Sequence, residues 1–189
     1  MIDNWDELRA TALSCTACGL CKTRTNVVFG CGNPQAKIMF IGEGPGQHED
    51  EEGEPFVGRS GQLMDQMLAY IGLSREKNIY IGNMVKCRPP QNRDPSPDEV
   101  SACIGYLRNQ VALIRPEIIV CVGRIAATYL IDPGYKVTRQ HGEWIQKNGV
   151  WMMGTFHPAA LLRNPNNKPA AMQDFFGLRE KIAELGIEI

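Results

Sequence analysis

At 189 residues, with 43% hydrophobic and 22% charged content, the chain has the make-up of an ordinary globular protein that buries its core in one domain, taken here as 1–189. No apolar run approaches the roughly 18 residues of a membrane span, and Asp3, Asp6 and Glu7 stand where an export signal would be basic, so we expect a soluble, cytoplasmic protein without a membrane partner. The net charge of -1 excludes no phosphate-bearing partner, because phosphate is held by a local basic patch rather than by the total.

In chain order, Trp5, Leu8, Ala12 and Leu13 recur with charges between them and predict a short amphipathic helix over Asp3 to Ser14. A turn-rich cluster, Cys15-Thr16-Ala17-Cys18-Gly19-Leu20-Cys21, follows it, and extended chain runs on to Pro34. Lys37 to Ile41 is an apolar run that stops at Gly42, the pattern of a strand buried on both faces. Open α/β sheets bind ligands just beyond the carboxyl ends of such strands. Glu43 stands there, and Gly42, Gly44, Pro45 and Gly46 make a rigid turn whose backbone a ligand can approach closely.

Gly53 to Arg59 is a second glycine- and proline-rich segment carrying Phe56, and Ser60 to Ile71 has helical periodicity. Asn78 to Asn83 predicts the second strand, ending at Asn83, with a polar loop over Arg88 to Pro95. Ser96-Pro97-Asp98-Glu99 supplies an N-cap serine, a first-turn proline and a capping glutamate for a helix to about Ile114. Glu117 to Gly123 and Val150 to Phe156 predict the third and fourth strands, with helices at Arg124 to Leu130 and about Ala170 to Leu185. Alternating strands and helices point to a mostly parallel sheet covered on both faces.

Seven cysteines without an export signal argue for metal-binding thiolates rather than disulfides. Cys15 and Cys18, with the distant Cys87 and Cys103, suit one tetrahedral metal ion or one cubane iron-sulfur cluster, and the wide second spacing leans towards a cluster. Cys21 competes as a ligand in the first group; Cys31 and Cys121 read as loop and core residues. Glu43, Asn83 and His157 stand at predicted strand ends, with Phe56 in the loop after the first. Each alone has an ordinary structural explanation; together they suit a pocket for a planar heterocycle. The glycine-rich loop matches no phosphate-binding pattern, and Glu49 to Glu52 would repel a phosphate.

Cys15-Thr16-Ala17-Cys18, Gly42-Glu43-Gly44-Pro45-Gly46, Pro55-Phe56-Val57-Gly58-Arg59, Asn83 with Val85-Lys86-Cys87-Arg88-Pro89-Pro90, Cys103, and His157-Pro158 with Leu161-Leu162-Arg163 carry a resemblance over nearly the whole chain. The chain resembles the iron-sulfur-containing family 4 uracil-DNA glycosylases. That resemblance implies an α/β/α sandwich on a four-stranded parallel sheet, and a [4Fe-4S] cluster on Cys15, Cys18, Cys87 and Cys103 that ties in the N-terminal segment and leaves Cys21 outside. It also implies a monomer that hydrolyses deoxyuridine in single- or double-stranded DNA, leaving an abasic site. Family members commonly read Gly-Glu-Ala-Pro-Gly, so Gly44 is a departure, and neither residue replaces the water-activating aspartate of family 1 enzymes.

The roles that follow are expectations. Phe56 stacks on a base flipped from the helix, Asn83 reads its O4 and N3-H edge, His157 stabilises charge on O2, and Glu43 stabilises the sugar cation or orients water, with His48 and Glu49 as alternatives. Leu161 and Leu162 are candidate wedges into the vacated stack. Arg59, Lys86, Arg88, Arg93, Arg163 and Lys168 are candidate phosphate contacts. Two rivals are a non-catalytic metal-bearing DNA-binding module and a relative that acts on another deaminated base or forms an adduct through a loop histidine. The Arg88 to Pro95 loop holds no histidine, which counts against the adduct.

Overall fold

The computed structural model describes residues 2–189. In chain order its elements are α1 (Trp5–Leu13), β1 (Cys31–Gly32), β2 (Ile38–Gly42), α2 (Gln47–Glu52), α3 (Gly58–Tyr70), β3 (Ile79–Asn83), α4 (Pro97–Ile114), β4 (Ile118–Val122), α5 (Arg124–Leu130), α6 (Val137–Gln140), β5 (Ile145–Lys147), β6 (Val150–Thr155), α7 (Pro158–Arg163) and α8 (Lys168–Glu184), with short 3-10 turns between some of them. The sheet order is β1-β3-β2-β4-β6-β5. β3, β2, β4 and β6 run parallel, while β1 and β5 pair antiparallel at the two edges. The sheet is therefore mixed and six-stranded, not the four-stranded parallel sheet expected. The added strands are two and three residues long, too short to show an apolar period.

Strand alternation divides the core into two layers. Ile38 and Phe40 face Met64, Leu68, Leu161, Phe175 and Leu178 of α3, α7 and α8, while Met39 and Ile41 face Val100, Leu107 and Ala126 of α4 and α5. α1 packs outside the second layer, through Leu8 and Ala12 against Phe29 with Tyr106 and Leu113 of α4. Ser96 and Glu99 cap α4 reciprocally, the Glu99 N–H donating to Ser96 Oγ and the Ser96 N–H to Glu99 Oε2, as their spacing predicts. Because β3 lies on one side of β2 and β4 on the other, the strand order reverses at β2. The crevice beyond the carboxyl ends of β2 and β4 is where such a sheet binds its ligand.

Candidate active site

Gly42 and Asn83 are register partners at the ends of β2 and β3. The pairing does not stop there: the Met84 N–H donates to Gly42 O (2.9 Å) and the Val85 N–H to Glu43 O (3.1 Å). The loops bearing Glu43 and Asn83 are thus fastened to each other by backbone. A Cβ added at Gly42 would lie 2.5 Å from Asn83 Oδ1 and 2.7 Å from Phe56 Cζ, so only glycine lets the amide and the ring close over this floor. Gly44 has ordinary backbone angles, and an alanine methyl there would sit 2.7 Å from Val85 Cγ2, requiring Val85 to turn aside.

Phe56 is buried and adopts φ +51, a left-handed conformation that L-residues with a Cβ avoid. Its ring stacks on the His157 imidazole, with centroids 5.4 Å apart and planes at 29°. His157 is the N-cap of α7, and its Nδ1 accepts the Ala159 N–H at 3.1 Å. That bond leaves the imidazole proton on Nε2. Burial, assisted by the Arg163 charge, pushes the His157 pKa down to about 4, so the ring is neutral at pH 7. Gly123, just after β4 with φ +91, backs it; a Cβ there would meet His157 Cβ at 3.0 Å.

Glu43 is half-buried. Burial first, then the Asp94 carboxylate, push its pKa up to about 7 against the opposing pull of Arg124. Glu49, weighed from the sequence as an alternative water-activating group, is otherwise engaged. It accepts the Gly46 N–H (3.1 Å) and the Val57 N–H (3.0 Å), bracing the first turn of α2 against the Phe56 loop. His48 is exposed beside Gly58 and Glu51. The acidic run expected as a loop is helix α2, and its Asp50 is buried, accepting the Thr25 and Asn26 N–H groups.

A cavity lies off the sheet, lined by Cys15, Cys18, Cys21, Cys87 and Cys103 together with Arg24 and Tyr106. None of these thiols is in a disulfide. Donors are directed at the sulfurs: the Lys86 N–H towards Cys103 Sγ (3.3 Å), Arg24 Nη1 towards Cys87 Sγ (3.4 Å) and the Ala17 N–H towards Cys15 Sγ (3.5 Å). Among the described residues, no three His, Cys, Asp or Glu side chains converge on a point where one ion could be held. Burial pushes the Cys103 thiol up to about 11 and raises Cys87 as well. Several soft ligands around one cavity, with N–H groups aimed at them, fit a thiolate-bound group broader than a single ion. Cys21 lines the cavity too.

Residues 29–177 match the family model described as the uracil DNA glycosylase superfamily. The chain belongs to that superfamily. A type-4 uracil-DNA glycosylase of Archaeoglobus fulgidus is 44% identical over 97% of this chain and 94% of its own length. One of Thermotoga maritima is 47% identical over 82% of this chain and 81% of its own. A type-5 uracil-DNA glycosylase of Pyrobaculum aerophilum is 31% identical over 69% and 64%.

Two of the expected DNA contacts are corrected by the structure of this superfamily member. Lys86 is 1% exposed, its ammonium donating to Asn83 O (3.0 Å) and Gln110 Oε1 (2.6 Å), and it cannot reach a phosphate. Leu161 is wholly buried in the layer under α7, leaving the half-buried Leu162 as the wedge candidate. Arg59 and Arg163 are exposed and Lys168 is half-buried; Arg88 is half-buried with Nε on Asn92 Oδ1 (2.7 Å). Arg93 is committed to Glu99 through both guanidinium amines. Arg24, Gly123 and the Asp94–Arg124 pair escaped sequence reading. Gly123 was the findable one, since it ends an apolar run just as Gly42 does.

Proposed function

We propose that the protein hydrolyses the N-glycosidic bond of deoxyuridine in DNA. The observation that carries this reading is the Asn83 amide, 3% exposed, converging with the Phe56 ring over Gly42 while His157 stacks on that ring, an arrangement we read as the base pocket of a member of this superfamily. A base reaches such a pocket only when flipped out of the stack. Phe56 supplies the stacking face, and the amide offers one donor for O4 and one acceptor for N3-H. Cytosine presents the reverse pattern and leaves both groups mispaired.

As the C1′–N1 bond breaks, its electron pair moves onto uracil N1 and O2. The neutral His157 ring donates Nε2–H to O2, a role that needs no imidazolium. Glu43, in its ionised form, faces the positive sugar and takes a proton from the water whose oxygen bonds to C1′. We assign a [4Fe-4S] cluster to Cys15, Cys18, Cys87 and Cys103, a reading supported by the sulfur-lined cavity and its N–H donors. Such a cluster, when bound, supplies iron-thiolate bonds that cross-link the N-terminal segment to α4 and to the loop after Asn83. Arg59, Arg88, Arg163 and Lys168 are the remaining phosphate candidates.

Single- and double-stranded oligonucleotides carrying uracil, hypoxanthine or xanthine test the assignment. Free uracil and alkali-labile abasic sites are expected from the uracil strands. DNA binding without release of any base would establish a non-catalytic module instead, and release confined to hypoxanthine or xanthine would reassign the substrate.

A further inference from the structure

Phe56 holds its ring in place with a left-handed backbone conformation that persists only where surrounding groups over-determine it. One of those groups is far off in sequence. Arg75, in the turn between α3 and β3, donates from Nη2 to Phe56 O (2.8 Å) and from Nη1 to Pro55 O (2.9 Å), so a single planar guanidinium spans the two carbonyls that flank the strained residue. Asp65 of α3 fixes that guanidinium from behind, accepting Nε (3.1 Å) and Nη2 (2.8 Å), and the Arg75 side chain is only 13% exposed. Cys31 Sγ, 3.6 Å from Nη1, closes the remaining side.

The rest of the turn is built around the same peptide. A Cβ at Gly61 would fall 1.8 Å from Phe56 O, so the carbonyl is seated where only glycine leaves room. Glu49 takes the next N–H, that of Val57. The Arg75 guanidinium spends its hydrogen bonds on Pro55, Phe56, Asp65 and Cys31, none of which is Asn83, Glu43 or His157.

We propose that Arg75 is a positioning residue for base capture: it locks the Pro55-Phe56 carbonyls so that the Phe56 ring is presented face-on beside His157 before DNA binds. The proposal rests on the reading of Phe56 as the stacking platform. Only arginine offers the required fork, since lysine, a point donor, cannot bridge two carbonyls. Freed of the clamp, the residue relaxes towards negative φ and carries its ring away from the pocket.

A double-mutant cycle on the complete protein tests this, measured as single-turnover uracil release and thermal unfolding of Arg75→Met, Phe56→Ala and the pair. Arg75→Met is expected to lower kcat/KM by about 10- to 100-fold, the scale of a small misplacement of a reacting group, and Arg75→Lys by less. In the Phe56→Ala background, Arg75→Met should change activity by less than about twofold while still lowering the Tm, because removing the ring leaves in place the backbone carbonyl that Arg75 holds. A purely structural role predicts an equal loss of activity in both backgrounds and overturns the proposal. So does an Arg75→Met protein as active as the parent when Phe56→Ala is impaired. Full activity in Phe56→Ala would instead remove the platform reading itself. If Arg75→Met does not fold, Asp65→Asn, which loosens the clamp from behind, is expected to give a smaller loss that likewise vanishes without the Phe56 ring.

Discussion

The pocket and the cysteine-lined cavity solve opposite problems within one small chain. In the pocket, side chains arrive at the ends of regular strands or on turns braced against them, with Glu43 and His157 both pushed towards their neutral forms by burial. In the cavity the sulfurs come from an irregular N-terminal segment, a loop and a helix, and their donors are already directed at them. A site that must recognise a transient ligand is held rigid by the fold. The cluster we propose for the cavity would, by contrast, help to hold the fold together.

Substitutions that touch only one region should separate activity from stability. The largest effect is expected from Asn83→Asp, whose carboxylate meets uracil O4 with like charge: uracil release should fall roughly 10³-fold, with the Tm falling by less than in Cys87→Ala, by about 5 °C for a carboxyl at a site 3% exposed. A large drop in Tm would show that the amide also holds the fold. Cys87→Ala should act chiefly on stability, bleaching the visible absorbance of the purified protein and lowering its Tm by more than about 10 °C. A brown, equally stable variant would remove Cys87 from the ligand set.

The pH dependence probes the pocket more gently. With the Glu43 pKa near 7, kcat/KM should rise with pH through 7 and level off above it, and Glu43→Gln should flatten that limb. The stability sign is opposite. A carboxyl held above its ordinary value of 4.5 favours the fold fully at lower pH and loses that contribution as pH rises through 7. Glu43→Gln should therefore raise the Tm at pH 8. A parent rate that stays level from pH 5 to 8 would exclude Glu43 as the group that must ionise.

The smallest effects concern one proposed phosphate contact, Arg163, and the buried Lys86. Arg163→Gln should reduce the salt slope of DNA affinity by about 1. Lys86→Met should leave that slope unchanged while lowering the Tm, because Gln110 Oε1 and Asn83 O lose their donor. A changed slope for Lys86→Met would restore it as a phosphate contact.

Much of the pocket was legible in the sequence because buried parallel strands are continuous apolar runs, and each deposits its last polar residue at the same edge. Asn83, Glu43 and His157 could be found by that rule alone. The edge strands β1 and β5 could not, being only two and three residues long, too short for an alternation to repeat. α7 was hidden because Pro158 reads as a loop residue, although at the first helical position it starts a helix. Lys86 was misplaced for a different reason. A lysine beside Arg88 in a polar stretch resembles a phosphate ligand, and the group that buries it, Gln110, sits on the inner side of α4 with no local sign of the pairing. Arg75 and Phe56 pose the same difficulty: the Arg75–Asp65 ion pair resembles any surface pair, and nothing in the local sequence shows that the same guanidinium also serves the Pro55 and Phe56 carbonyls.

The backbone pairing that runs past β2 and β3 has a further consequence for how such a protein can change. Because Met84 and Val85 hold Gly42 and Glu43 through main-chain atoms alone, the spacing between positions 43 and 83 is independent of the side chains placed there. The two positions behave as sockets on one frame: on the proposed reading, the group assigned to the base and the group assigned to the sugar are each carried by a backbone that the other's side chain does not set. New base preferences on this scaffold are therefore within reach of single substitutions, whereas altering the distance from base to water would require rebuilding the sheet.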